Sequence, residues 1–70
     1  MKRMPVESSS IRAIWYDEKD NILEIEFHHG GIYQYFDVPV EEYMSLIDAD
    51  SIGGYFNWEI RDDYDYIRVR

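Results

Sequence analysis

Adjacent histidines, a serine run and an acidic run are the features of this sequence best suited to chemistry. His28 and His29 suggest metal binding or acid–base work, but adjacent residues of an extended chain point to opposite faces, so they do not converge on one ion. The Ser8–Ser10 run has no accompanying order of histidine and acid that would activate a hydroxyl. The Asp62–Asp65 run lacks the glycine turn and final glutamate of a calcium loop. We therefore predict that the chain is not an enzyme and has no metal or cofactor.

Tyr33 and Tyr35 offer a different kind of chemistry, because aromatic rings on a sheet can stack nucleic-acid bases at roughly 1–3 kcal/mol per base. Residues i and i+2 of a strand also share one face, where these rings would cover Leu23 and Ile25. Partial burial is the usual fate of tyrosine. We therefore assign both rings to the core side of the predicted sheet.

Length and composition indicate one small domain. We place it at residues 8–70, after a loose N-terminal segment at residues 1–7. A chain of this size buries roughly 60% of its unfolded surface, and with no cysteine it has no disulfides to add stability. Seven tyrosines, three phenylalanines and two tryptophans must therefore fill much of the core. No apolar run is long enough to cross a bilayer and no signal region follows Met1–Pro5, so we expect a cytoplasmic protein, compatible with a bacterial cytoplasm.

The net charge of −8 restricts the partners. It repels membranes and nucleic-acid backbones, so no membrane partner is expected and RNA is disfavoured. The same charge leaves open an acidic protein that mimics nucleic acid. A protein partner or self-association fits the charge without difficulty.

The strand signals are the clearest in the chain. Two apolar-alternating runs, Ile22–Phe27 and Ile32–Phe36, flank His28–Gly31, a spacer that tolerates positive φ, and so predict a β-hairpin. Ile11–Asp17 predicts a preceding strand, with a bulge at its start and Asn21 in the left-handed conformation of the turn. Leu23, Ile25 and Phe27 form the core side of the resulting meander. The outer face then contains Ala13, Trp15, Ile32 and Phe36 together with Glu24, Glu26 and Gln34.

Two helix signals follow the meander. Pro39 suits the first turn of a helix, in which Val40, Tyr43, Met44 and Ile47 repeat at i, i+3, i+4 and i+7 and should pack on the sheet.

Ser51 is a good N-cap for a second helix from Ile52 to about Arg61. Gly53 shares a face with Phe56 and Ile60, so we expect its backbone to approach the sheet or the first helix, and Trp58, on the other side, to be exposed.

The predicted fold class is α+β, with a three-stranded antiparallel meander followed by two short helices on one face. Tyr64–Val69 alternates again and predicts either a short fourth strand or an irregular tail.

The sequence combines a Tyr-x-Tyr pair with a Ser-x-Gly-x-x-Phe-Asn segment after the predicted strands. Their residues, to which we assign structural roles, are Tyr33, Tyr35, Ser51, Gly53, Phe56 and Asn57. With these motifs at this spacing and in this order of elements, the chain resembles the KTSC domain from Ser8 to Val69. The family takes its name from a short domain at the C-terminus of some lysyl-tRNA synthetases and also occurs as free-standing small bacterial proteins. The resemblance implies the same fold and a suggested role in RNA binding.

The chain departs from the family at positions that bear on RNA binding. Members often carry Lys or Arg where this sequence has Ile52 and Gly54, and a proline where it has Asp65. Of the cations in that segment only Arg61 and Arg68 remain, which weakens the expectation of phosphate contacts.

We therefore predict a small non-enzymatic interaction module. Its candidate surface consists of Trp15, Ile32, Phe36, Trp58 and Arg61. A large apolar patch on an open sheet face marks a contact surface, unless the N-terminal segment or the C-terminal tail covers it. The first alternative is an RNA- or tRNA-associated domain that uses Arg61, Arg68 and Arg70 with stacking on Tyr66 or Trp58, and the second is the acidic nucleic-acid mimic.

Overall fold

An antiparallel sheet with both helices on one face forms the domain in a computed structural model that describes the backbone of Met4–Pro5 and all of residues 8–70. In chain order the elements are β1 (Met4–Pro5), β2 (Ile11–Asp17), β3 (Ile22–Phe27), β4 (Ile32–Tyr35), α1 (Val40–Ile47), α2 (Ile52–Tyr55), a π-helical turn (Phe56–Ile60) and β5 (Tyr66–Arg68). The strands lie in the sheet in the order of the chain. This confirms the predicted α+β class, the meander and the two helices, and of the two alternatives for the C-terminal residues it shows the short strand.

The meander has the predicted register and irregularities. Leu23 pairs with Tyr35 and Ile25 with Tyr33, which places all four on one face. The register of β2 against β3 shifts between Ile11 and Ala13, confirming the bulge. Asn21 has a φ of 57°, the left-handed conformation expected at the turn.

The N-terminal prediction is only partly within the described residues. Met4 and Pro5 pair with Ile14 and Ala13 and add a two-residue strand beside β2. The rest of the predicted loose segment, residues 1–3 and 6–7, lies outside the residues described.

The helical face of the sheet contains the core. Leu23 and Ile25 are fully buried, Tyr35 nearly so, and Phe27 and Tyr33 pack against them. Both tyrosines thus point to the core side, as predicted.

Helix α1 is rotated relative to the prediction. Met44 is 59% exposed, whereas Leu46, which was not assigned to the buried face, is fully buried beside Tyr43. The Tyr43 ring stacks on Tyr16 with centroids 4.6 Å apart and an interplanar angle of 8°. This contact sets the rotation of α1 about its axis, which puts Val40, Tyr43 and Leu46 towards the sheet and Met44 beside it.

The second helical segment begins as predicted but does not remain α-helical. The Ser51 hydroxyl accepts a hydrogen bond from the Gly54 amide at 3.2 Å, the expected N-cap. From Phe56 the segment widens into a π-helical turn, closed by a 2.9 Å bond from the Arg61 amide to the Phe56 carbonyl. Phe56 and Ile60 are buried, as expected.

Gly53 makes its close approach to a different element from the one predicted. A Cβ at Gly53 would lie 3.1 Å from the Ser10 hydroxyl oxygen and 3.2 Å from that of Ser8. The prediction of close packing on the sheet or α1 is therefore wrong. The missing side chain instead makes room for the serine segment before β2.

Candidate ligand-binding cleft

A half-open cavity of about 330 Å³ lies where the ends of β3 and β4 meet β5 and the π-helical turn. We call it the aromatic cleft. Its lining residues are Phe27, His29, Tyr33, Tyr35, Phe56, Asn57, Arg61 and Tyr66. It brings together both halves of the family motif, since the Tyr-x-Tyr pair and the Phe-Asn pair line the same space.

The rings of the aromatic cleft hold one another in place. Tyr35 contacts Phe56 edge to face at 5.3 Å and 81°, and Phe27 contacts Tyr33 at 5.5 Å and 86°. Tyr66 packs at the rim, 5.3 Å from Tyr35 and 5.9 Å from Tyr33, with 54% of its surface exposed. Edge-to-face pairs are a favourable arrangement of rings, so the walls are formed in advance while Tyr66 leaves a ring open to solvent.

Register explains how these rings come together. Tyr35 pairs with Tyr66 across β4 and β5, so the two side chains lie on the same face. The π-helical turn then brings Phe56 over Tyr35. Without β5, Tyr33 and Tyr35 would lie at the edge of the sheet with no second wall.

Polar groups occur at the mouth of the aromatic cleft. Asn57 and Arg61 are exposed, and the Arg61 Nε lies 3.8 Å from an Asp62 carboxylate oxygen. His29 accepts a hydrogen bond from the Gly31 amide through Nδ1, and its ring stacks on Phe27. Because Nδ1 acts as acceptor, the neutral ring carries its proton on Nε2. Asn57, Arg61 and His29 therefore offer hydrogen-bond donors around an aromatic floor.

Burial keeps the inner phenol of the cleft protonated. It raises the pKa of Tyr35 to about 12, with smaller contributions from Tyr66 and Tyr33. A phenol with this pKa is neutral at physiological pH and is not a base or a nucleophile. The cleft therefore offers ring faces and neutral hydrogen-bonding groups.

A carboxylate on α1 anchors the helical wall of the cleft. Tyr55 and Tyr64 both donate hydrogen bonds to the carboxylate of Glu42, the latter at 3.1 Å. The pKa of Tyr64 rises to about 12, mainly through burial and then through this hydrogen bond. Glu42 thus ties α1 to α2 and to the segment leading into β5, the elements that carry Phe56 and Tyr66.

The predicted interaction surface is not one surface. Trp15 pairs with Glu24, which in turn pairs with Gln34, so Trp15 lies on the sheet face opposite the helices, and it is half-buried, as is Phe36. Trp58 is 84% exposed on the helical side, as expected, and Arg61 lies on that side at the aromatic cleft.

Ile32 corrects the prediction of an open outer patch, because only 6% of its surface is exposed. Its backbone lies between Glu26 on β3 and the C-terminal residues, with the amides of Val69 and Arg70 donating to its carbonyl. The C-terminal strand thus encloses Ile32 from the side.

The other motif residues have positions that explain their types. Ser51 caps α2, and Gly53 faces Ser8 and Ser10 across a shallow polar groove. No sequence pattern assigned Phe27, His29 and Tyr66 to a common site. The alternation of Tyr64–Val69 could indicate a strand that contains Tyr66, but the position of Tyr66 beside Tyr35 depends on the register of β5 against β4.

These features define a small α+β domain with a preformed aromatic cleft. Within residues 8–70 the structure has no group of three or more potential ligands placed to hold a metal ion. No helix in the described part of the chain is long and apolar enough to cross a membrane.

The chain belongs to the KTSC domain family, whose model matches residues 7–64. An uncharacterized protein of Stutzerimonas stutzeri is 43% identical over 70 residues, covering 99% of each chain. A lysine–tRNA ligase of Nostoc is 38% identical over 60 residues, which make up 86% of this chain but only 11% of the ligase. The crystal structure of a KTSC domain protein from Yersinia pestis superposes with a TM-score of 0.95 at 35% identity, over 99% of this chain and 97% of the other.

Proposed function

We propose that this KTSC domain is a non-enzymatic binding module that receives an aromatic side chain of a partner protein in the aromatic cleft. The observation that supports this is a cavity of about 330 Å³ with ring walls and a rim of donors. Ligand sites in proteins combine aromatic walls with a few directed polar groups and begin at about 300 Å³.

The rim favours a partner ring that carries a hydrogen-bond acceptor beside it. Arg61 and Asn57 flank the opening and can donate to a carboxylate or a backbone carbonyl. The net charge of −8 disfavours long anionic partners but leaves a single acidic group acceptable. The proposed site of action is the cytoplasm, a reducing compartment that is compatible with a chain without cysteine.

A titration with small probes tests the proposal. N-acetyl-tryptophan carries a ring and a carboxylate, N-acetyl-tryptophan amide carries the ring alone, and N-acetyl-leucine serves as the aliphatic control. We expect both tryptophan probes to change the amide chemical shifts of the labelled protein around Tyr33, Arg61 and Tyr66. The probe with the carboxylate should bind with the higher affinity. Shifts that are absent, or that centre elsewhere, would contradict the proposal.

Two variants locate the site. Tyr66→Ala should abolish the shifts, while Trp58→Ala, which removes an exposed ring of the same helical segment outside the cleft, should leave them unchanged. Arg61→Ala should remove the difference between the two tryptophan probes while retaining ring binding.

RNA binding is the second candidate, favoured by one observation. Arg68 lies over Tyr33 with its guanidinium carbon 5.7 Å from the ring centroid, so Arg61 and Arg68 border the same aromatic surface as Tyr66. Cations and stacking rings side by side are the elements of a single-strand site. Arg70 lies two residues beyond Arg68, whose Nε donates to the Arg70 carbonyl.

Salt dependence separates this candidate from the first. A single-stranded oligouridine should bind at low salt with an affinity that falls steeply as salt rises, and Arg68→Ala should reduce the slope of log K against log salt by about 0.7. Absence of binding at low salt would end the RNA candidate and leave the first intact.

A further inference from the structure

We propose that two copies of this chain associate by pairing their β5 strands antiparallel about a twofold axis through Ile67. We call the surface concerned the β5 edge. It comprises β5 itself, the acidic residues before it and the basic residue after it: Asp62, Asp63, Asp65, Tyr66, Ile67, Arg68 and Arg70. This contact does not depend on a ligand in the aromatic cleft.

The backbone of β5 has an unpaired side. β5 is the last strand of the sheet, and its partner β4 occupies one side only. The Asp65 carbonyl and the Val69 amide bond to β4 at 2.9 Å and 2.8 Å. Because backbone groups alternate along a strand, the amides and carbonyls of Tyr66 and Arg68 point away from β4. Such a row of groups is a template for another strand.

The segment around β5 is acidic before the strand and basic at its end, so two copies that run antiparallel have complementary charges. Asp62, Asp63 and Asp65 precede β5, and Arg68 and Arg70 form its end and the residues after it. In an antiparallel pair centred on Ile67, Asp65 of one copy lies opposite Val69 of the other. Arg68 and Arg70 point to the other face of their strand, so the complementarity is between the acidic end of one segment and the basic end of the other, which lie side by side, and not between directly opposed Asp–Arg pairs. A parallel pair would place acid against acid and is unfavourable.

The side chains are compatible with the same axis. Ile67 is 50% exposed and lies on the face opposite Tyr66, so the two copies of Ile67 meet each other as an apolar pair. Tyr66 of each copy lies opposite Arg68 of the other, a pair that supports a cation–π contact.

The contact should be weak. Three paired residues a side bury less surface than the roughly 1,200 Å² of a stable interface. At physiological ionic strength the Debye length of about 8 Å screens the general repulsion between two chains of charge −8, while touching groups still interact. We therefore expect dimers that form only at high protein concentration.

Charge-reversal variants in sedimentation equilibrium provide the main test. The acidic-edge variant is Arg68→Glu with Arg70→Glu, and the basic-edge variant is Asp63→Lys with Asp65→Lys. We expect the unmodified chain to associate reversibly, each variant alone to stay monomeric, and their mixture to form a one-to-one dimer tighter than that of the unmodified chain. Monomers in every sample, or association that both variants leave unchanged, would overturn the proposal.

A backbone variant keeps the test decisive if charge reversal disturbs the fold. Arg68→Pro and Arg68→Ala both remove the guanidinium, but only proline removes the amide that points to the open edge. Both should retain the circular dichroism spectrum, and proline should lower the association constant below that of the alanine variant. Equal association constants would show that the β5 edge does not pair through its backbone.

Discussion

Tyrosines at the two ends of the same sheet face have opposite surroundings. At the β2–α1 end, Tyr16 is fully buried, stacks on Tyr43, and donates its hydroxyl proton to the Val38 carbonyl, with the Asn21 side chain 3.2 Å from the same hydroxyl. At the β4–β5 end, Tyr33 and Tyr66 remain partly open. We call these the closed end and the open end.

The two ends differ because of the element that covers each of them. An eight-residue α-helix packs over the closed end, while a four-residue helix and a π-helical turn border the open end. Because α2 is shorter than α1 and continues into a wider π-helical turn, this segment leaves the aromatic cleft uncovered beside it. The closed end therefore contributes stability, whereas the open end keeps aromatic surface exposed.

The largest expected effect is at the closed end. Tyr43→Ala removes a buried ring together with its stacking contact to Tyr16. This should lower the free energy of unfolding by about 3–5 kcal/mol. This is a large part of the 5–15 kcal/mol typical of a small domain. Urea denaturation checks the value. A loss no greater than that of Met44→Ala, the exposed control on the same helix, would contradict the assignment.

The hydroxyl of Tyr16 should have the next effect. Tyr16→Phe keeps the stacked ring but removes the donor to the buried Val38 carbonyl, and should cost about 1–3 kcal/mol. The same denaturation series measures it. An unchanged midpoint would mean that water replaces the lost donor.

Alkaline pH should weaken the fold through the buried phenols around the aromatic cleft. The pKa values of Tyr35 and Tyr64 are about 12, above the ordinary value near 10, chiefly because of burial. Because these phenols have a higher pKa in the folded state than in the unfolded chain, their contribution to the free energy of unfolding is fully present below about pH 10. It is lost as the pH rises towards 12.

Stability measured against pH, together with phenolate absorbance, checks this prediction. The fall in stability should coincide with ionisation of the buried phenols, and Tyr35→Phe should make it shallower. A constant free energy of unfolding across this range would contradict the shifts.

The smallest stability effect is expected at the rim of the open end. Tyr66→Ala removes a ring that is 54% exposed and should change the free energy of unfolding by about 0.5 kcal/mol or less, typical of surface positions. In the probe titration the same change should abolish binding. A loss of stability as large as that of Tyr43→Ala would erase the distinction between the two ends.

Local patterns were sufficient to predict the meander and the starts of both helices. Alternation placed β3 and β4, β-favouring residue types placed β2, and residue chemistry placed the left-handed Asn21 and the Ser51 cap, because these depend on neighbours a few residues apart. The exposure of Trp58 followed from the same helical geometry. The family resemblance rested on the Tyr-x-Tyr pair and the Ser-x-Gly-x-x-Phe-Asn segment, and the match over residues 7–64 confirmed it.

Contacts between distant segments decided the rest. Periodicity assigned Met44 to the sheet face, but with Tyr43 stacked on Tyr16 the helix instead buries Leu46. The backbone of Ile32 is hydrogen-bonded to Val69 and Arg70, which follow β5, a strand whose existence the sequence left open. The aromatic cleft also exists only once β5 and the π-helical turn stand next to β4. Periodicity reports which face of one element is apolar, whereas burial and cavities depend on which other elements reach that face.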